Sequence, residues 1–147
     1  MMRPVPYRYL EHIATADAAF EAFGDTLEEL FIAAADAVMN TMVEELASIA
    51  CAEEVTFETE HAELDLLLYN FLCELVFLKD ARRLLLRIKS IEIAETGGKY
   101  TAKTVACGER INPKKHPLLS DVKAVTLHRF TLEKTDDGWQ ASVILDI

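Results

Sequence analysis

The sequence predicts an α+β fold, with mixed or antiparallel β-sheets packed against two long α-helices in one compact domain over residues 1–147. Three observations carry this expectation. Apolar residues recur at helical spacing in two stretches, alternation at a period of two fills most of the remainder, and the hairpin signals cluster in the second half. At 147 residues the chain suits one core, since a domain of this size buries roughly 70% of its unfolded surface.

Taken in chain order, YRYLEHI reads as a strand and AFEAFG, with Phe20 and Phe23 ahead of Gly24, as a second short one. A helix starts at GDTLEELF, where Thr26 and Glu29 have capping-box spacing and Asp25 could cap instead. Leu27, Leu30, Phe31, Ala34, Ala35, Val38 and Met42 make its inward stripe. EEVTFETE at 53–60 alternates as a strand with Val55 and Phe57 on one side. Leu64, Leu67, Leu68, Phe71, Leu72 and Leu75 then define a second helix ending near Asp80. Two hairpins follow: LLLRIKSIEIAE and KYTAKTVACGE across a Gly97-Gly98 turn, and VKAVTLHRFTLEK and WQASVILDI across an Asp137-Gly138 turn. The proline-broken segment INPKKHPLLSD connects them.

The net charge of −10 is unevenly distributed. Residues 9–78 hold 16 acidic side chains and no Lys or Arg, whereas residues 79–147 hold 13 bases against 9 acids. This reads as a strongly acidic face over half the chain, which repels phosphate backbones and disfavours strong direct nucleic-acid binding. A basic protein partner or a cation suits it better, and a solvating surface is the plain alternative. The opening MMRPVPYRYL has no apolar run, and the most apolar stretch, residues 66–78, is too short to span a bilayer. The expectation is a soluble cytoplasmic protein without a membrane association. Cys51, Cys73 and Cys107 form neither a CxxC pair nor a zinc-ribbon spacing and read as core thiols in a reducing compartment.

The final residues, SVILDI, carry the most chemistry. Trp139, Ala141, Val143, Leu145 and Ile147 share one parity of a strand, and Gln140, Ser142, Ile144 and Asp146 the other, so Asp146 lies on the more polar side. The terminal carboxylate of Ile147 follows one peptide unit later, and hard cations such as Ca²⁺ or Mg²⁺ bind oxygen groups of this kind. A solvated terminus is equally allowed, because two charges about 6 Å apart repel by only roughly 1–3 kcal/mol near a surface.

TADAAFEAFGDTLEELFIAAADAV at 15–38, VKAVTLH at 122–128 and the terminal DI together resemble the archeases, as does the order of strands and helices. The resemblance implies a non-catalytic activator of an RtcB-type RNA ligase, the enzyme that joins 3′-phosphate or 2′,3′-cyclic phosphate ends to 5′-hydroxyls in tRNA splicing and RNA repair. It implies assistance to ligase guanylylation and multiple turnover. It also implies a divalent metal, Ca²⁺ first and Mg²⁺ or Mn²⁺ otherwise, held by Asp17, Asp146 and Ile147. Asp17 lies among Ala14, Ala16, Ala18 and Ala19, where little bulk impedes a second segment; a turn or capping role is its plain alternative. The family's histidine before Thr-Ala-Asp is replaced here by Ala14, and the nearest imidazole, His12, would point to the same side of a strand.

Lys123 matches the family's Val-Lys-Ala lysine and is a candidate contact to the ligase or to a phosphate, or else a solvated strand lysine. His128 reads as a satisfied structural histidine, and Lys114, Lys115 and His116 as a solvated basic loop tip. His61-Ala-Glu63 has the first half of a zinc deaminase signature, but no Pro-Cys-x-x-Cys follows, and no nucleophile elbow or phosphate-binding glycine motif is present. Two other functions remain compatible with the residues: a divalent-metal hydrolase using the same carboxylates, and an acidic chaperone-like binding module.

Overall fold

The structure is a computed structural model, and it describes residues 6–10 and 17–147. Its elements run β1 (Tyr7–Leu10), β2 (Asp17–Gly24), α1 (Leu27–Met42), a short 3₁₀ turn (Leu46–Ser48), β3 (Glu53–His61), α2 (Leu64–Arg82), β4 (Leu84–Thr96), β5 (Lys99–Arg110), β6 (Ala124–Thr135) and β7 (Gly138–Asp146). The strands form two sheets, ordered β1-β2-β7-β6 and β3-β5-β4, with every pairing antiparallel. The α+β expectation holds. Residues 11–13 of the predicted first strand lie outside the described residues.

Helix α1 starts as its sequence requires. The Glu29 N–H donates to Thr26 Oγ1 at 3.1 Å, and the Glu29 carboxylate accepts from the Asp25 N–H at 3.1 Å. Beyond the predicted stripe, Ala33, Ala37, Met39 and Thr41 are also buried. The reason is that α1 packs against β2 of one sheet and β4 of the other, so burial comes from two sides, and its alanines allow the close approach. Its Glu28 carboxylate accepts the Ile93 N–H, which gives a partner to an edge group of β4. Helix α2 covers the remaining core surface, and its Phe71 joins Phe31 and Phe57 at ring distances of 5.2 and 6.0 Å. It ends at Arg83 in the left-handed conformation, φ 55°.

Both hairpins form. Thr96 pairs with Lys99 across Gly97 and Gly98, both at positive φ, the conformation that two-residue hairpin loops require. In the second hairpin Thr135 pairs with Gly138, so the turn residues are Asp136 and Asp137 and the predicted turn shifts by one. Gly138 opens β7 instead; a Cβ there would lie 2.3 Å from the Gly24 carbonyl oxygen. This close approach and a φ of 141° both demand the glycine.

Strand β6 is interrupted. Thr126 opposes Ile144 and Thr131 opposes Ser142, so residues 127–130 face Val143 alone and three residues are surplus. Arg129 takes φ 53° there, and Leu127 is 55% exposed.

Two expectations change. The acidic first half is not one acidic face, because later bases fold back onto it: Arg87 meets Asp36 at 2.8 Å, Lys89 meets Glu54 at 3.1 Å, Lys99 meets Glu60 at 3.7 Å, and Arg82 pairs with Glu53. Arg8 takes Glu21 at 2.6 Å. Cys51 and Cys107 are not core thiols. Cys51 is exposed and forms a disulfide with half-buried Cys107 across a Cα separation of 5.0 Å, leaving Cys73 free and half-buried. Among the described residues, no helix is long and apolar enough to cross a membrane.

Candidate metal centre

Alternation dictates which residues of the four-stranded sheet face out. Phe20 and Ala22 of β2, and Ala141, Val143 and Leu145 of β7, are buried on the helix-facing side. The opposite parity puts Asp17, Ala19 and Glu21 of β2 beside Asp146, Ile144 and Ser142 of β7 on the other face. Asp17 and Asp146 are register partners, and directly opposed residues of an antiparallel pair have Cβ atoms about 4.5–5.5 Å apart. On the far side of Asp146 lies Ala124, whose methyl group leaves that flank open. Ala19 and Ile144 in the next row are almost fully buried, at 2% and 7% exposure, so the two acids border a closed patch of the face.

Two like charges placed directly opposite destabilise a sheet unless something neutralises them. Among the described residues, no side chain pairs with either acid. On the main chain, the Lys123 N–H donates to the Asp146 carbonyl at 2.8 Å. An all-oxygen donor set of this kind fits a hard cation. Among the described residues, His, Cys, Asp and Glu side chains nowhere gather in a group of three. Ile147 follows Asp146 directly, and its side chain packs against the core. Asp17, Asp146 and the Ile147 carboxylate would hold the ion, and such an ion would offset their mutual repulsion.

The other predicted positions divide. His12 and Ala14 lie outside the described residues. Lys123, just before β6, is exposed, and its ammonium has no ion-pair or hydrogen-bond partner among the described residues. His128 is exposed in the β6 irregularity and has no hydrogen-bond partner among the described residues, unlike a satisfied structural histidine. The basic loop tip is only partly solvated: Lys114 is exposed, but Lys115 binds Glu109 at 2.7 Å and His116 is 1% exposed. His116 Nδ1 accepts the Asn112 N–H at 2.9 Å, which puts the ring proton on Nε2, 3.0 Å from Glu109. Glu109 also accepts the Ala50 N–H, the largest of the effects that, with Lys115 and His116, hold its pKa down at about 2. His61 Nδ1 accepts the Glu63 N–H at 2.9 Å, an ordinary turn contact.

Sequence reasoning missed Lys79. It is 3% exposed, and its ammonium donates to the Val122 carbonyl at 2.7 Å while contacting Asp121 at 2.7 Å and Asp80 at 2.5 Å. Burial alone would push its pKa down, but the two carboxylates outweigh that and raise it. A single lysine in the last turn of a helix otherwise signals only a favourable charge at a helix end.

Comparison with known proteins bears on the fold and the family. A sequence profile of the Archease protein family matches residues 7–147. The protein archease of Methanosarcina acetivorans is 41% identical over 143 residues, spanning 96% of this chain and 95% of its own. That of Pyrococcus furiosus is 37% identical over 142 residues, spanning 96% and 98%. The solution structure of Methanobacterium thermoautotrophicum protein 1598 superposes with a TM-score of 0.85 at 33% identity, covering 98% of this chain and all of that one. A crystal structure titled as an archease and possible chaperone from Thermotoga maritima shares the fold, with a TM-score of 0.59 at 20% identity over 100% and 98% of the two chains. The chain therefore belongs to the archease family.

Proposed function

We propose that this protein is a non-catalytic, metal-containing partner of an RtcB-type RNA ligase, assisting guanylylation and repeated turnover of that enzyme in tRNA splicing and RNA repair. Family membership supports the partner. The observation that carries the metal is the register of Asp17 against Asp146, two carboxylates on one face beside an alanine, with no side-chain partner among the described residues. A divalent cation there, Ca²⁺ first and Mg²⁺ or Mn²⁺ otherwise, would supply a fixed positive charge that joins β2 to the end of β7. Around it, Ile147 packs against the core, and exposed Lys123, one residue before β6, is the candidate contact for an anionic group of the partner. A generic chaperone-like binding module is a rival reading, and it predicts client binding that ignores the terminal carboxylate.

The test is multiple-turnover ligation by the ligase of the same cell, with wild-type protein, Asp146→Ala, and a form extended by several residues after Ile147. Both altered forms are expected to lose most of the stimulation while keeping wild-type circular dichroism. Full stimulation by both would sink the proposal, and phosphoester hydrolysis by the purified protein alone, abolished by EDTA, would replace it with the hydrolase.

A further inference from the structure

The carboxylate pair stands at the end of β7, and its geometry depends on how the chain enters β6. The strand begins at Ala124, directly opposite Asp146, and the residue before it donates its N–H to the Asp146 carbonyl. That entry is not set by the sheet alone. Val122, fully buried, has its carbonyl oxygen held by the Lys79 ammonium at 2.7 Å, and Asp121 is held by the same group. Between the helix and Asp146 there are thus two consecutive short contacts: Lys79 to the Val122 carbonyl, then the Lys123 N–H to the Asp146 carbonyl. Lys79 is the buried cation of α2 and the one point where a charged group of that helix reaches the segment before β6.

We infer that Lys79 is a positioning residue for the carboxylate centre, clamping the 121–123 segment so that Asp146 is presented opposite Asp17. This rests on the metal reading above. Two features separate positioning from generic stabilisation. Asp80 and Asp121 are more than half exposed, so water can solvate both if the lysine is lost. The Val122 carbonyl is buried and cannot be compensated in the same way. Loss of the clamp is therefore felt in the main chain leading to Asp146 rather than in the surface charges. Residues that orient metal ligands without touching the ion typically change metal affinity by about 10–100-fold when replaced.

The experiment is calorimetric titration of the full chain with MnCl₂ and separately CaCl₂, at a temperature well below the melting transition, for wild type, Lys79→Met, Asp121→Asn and Asp146→Asn. Wild type is expected to bind and Asp146→Asn to fail. Lys79→Met is expected to bind about tenfold or more weakly, and Asp121→Asn, which keeps the bond to Val122, within about threefold of wild type. A lysine serving the fold alone would lower the melting temperature and leave the affinity of the folded protein unchanged, so unchanged affinity in Lys79→Met overturns the inference. Equal losses in Asp121→Asn and Lys79→Met overturn the route through Val122. If Lys79→Met does not fold, Lys79→Gln, one atom shorter, decides: a threefold or greater loss supports the clamp and wild-type affinity overturns it. Absence of binding by wild type removes the metal reading and the inference with it, whereas binding by wild type with no effect at Lys79 removes the inference alone.

Discussion

On the outer face of the three-stranded sheet, acids and bases confront one another across neighbouring strands; on the outer face of the four-stranded sheet, two acids confront each other. In the first, Glu58 opposes Lys103, which in turn opposes Glu92, while Lys89 and Lys99 reach Glu54 and Glu60. Cys51 and Cys107 fasten the end of the same sheet. In the second, Asp17 and Asp146 have no such complement among the described residues. The difference teaches where to look for function. Complementary ladders need nothing from outside, whereas an uncompensated pair on a well-formed sheet asks for a ligand.

Breaking the fastened sheet should give the largest effect on stability. The disulfide closes a loop of 56 residues in sequence separation, and chain-entropy bookkeeping puts the loss on reduction at about 4 kcal/mol. Urea unfolding with and without a dithiol reads this directly, and coincident midpoints would show that the bridge constrains nothing. The effect of removing one acid from the other sheet should be smaller and of opposite sign. In EDTA, Asp146→Asn is expected to be more stable than wild type by about 0.2–1 kcal/mol, because a like-charge opposition has gone. Adding Mn²⁺ should raise the melting temperature of wild type alone. A destabilised metal-free Asp146→Asn would mean that the pair was already compensated and would erase the contrast between the sheets. The smallest expected effect is on the ladder itself. Lys99 and Glu60 are both 61% exposed at 3.7 Å, so Lys99→Ala should cost no more than about 0.5 kcal/mol, and less in high salt.

Most of the architecture was legible because it rests on local rules. The Thr26–Glu29 capping box, the helical spacing of α2 and the Gly97-Gly98 loop each need only a few neighbouring residues, and each appears as read. The opposition of Asp17 and Asp146 was reachable through the family resemblance, not through spacing, since 128 intervening residues carry no register. What failed was long-range. The acidic run from 9 to 78 looked like a face until folding placed Arg87, Lys89 and Lys99 beside it. The Cys51–Cys107 bridge spans two elements with no sequence signature, and His116 is buried because Asn112 and Glu109 satisfy both ring nitrogens. Gly138 was assigned to the wrong job because its constraint comes from Gly24, far away in the chain.

The three surplus residues in β6 have a further consequence. β6 is the outer strand of its sheet and twelve residues long, long enough to template the addition of a strand from another molecule. With residues 127–130 out of register and Arg129 turned to positive φ, its unsatisfied amides and carbonyls no longer run in a straight row. Intermolecular zippering can begin at either end but cannot continue through the middle. A lone irregularity in the ladder thus doubles as protection against fibrillar self-association.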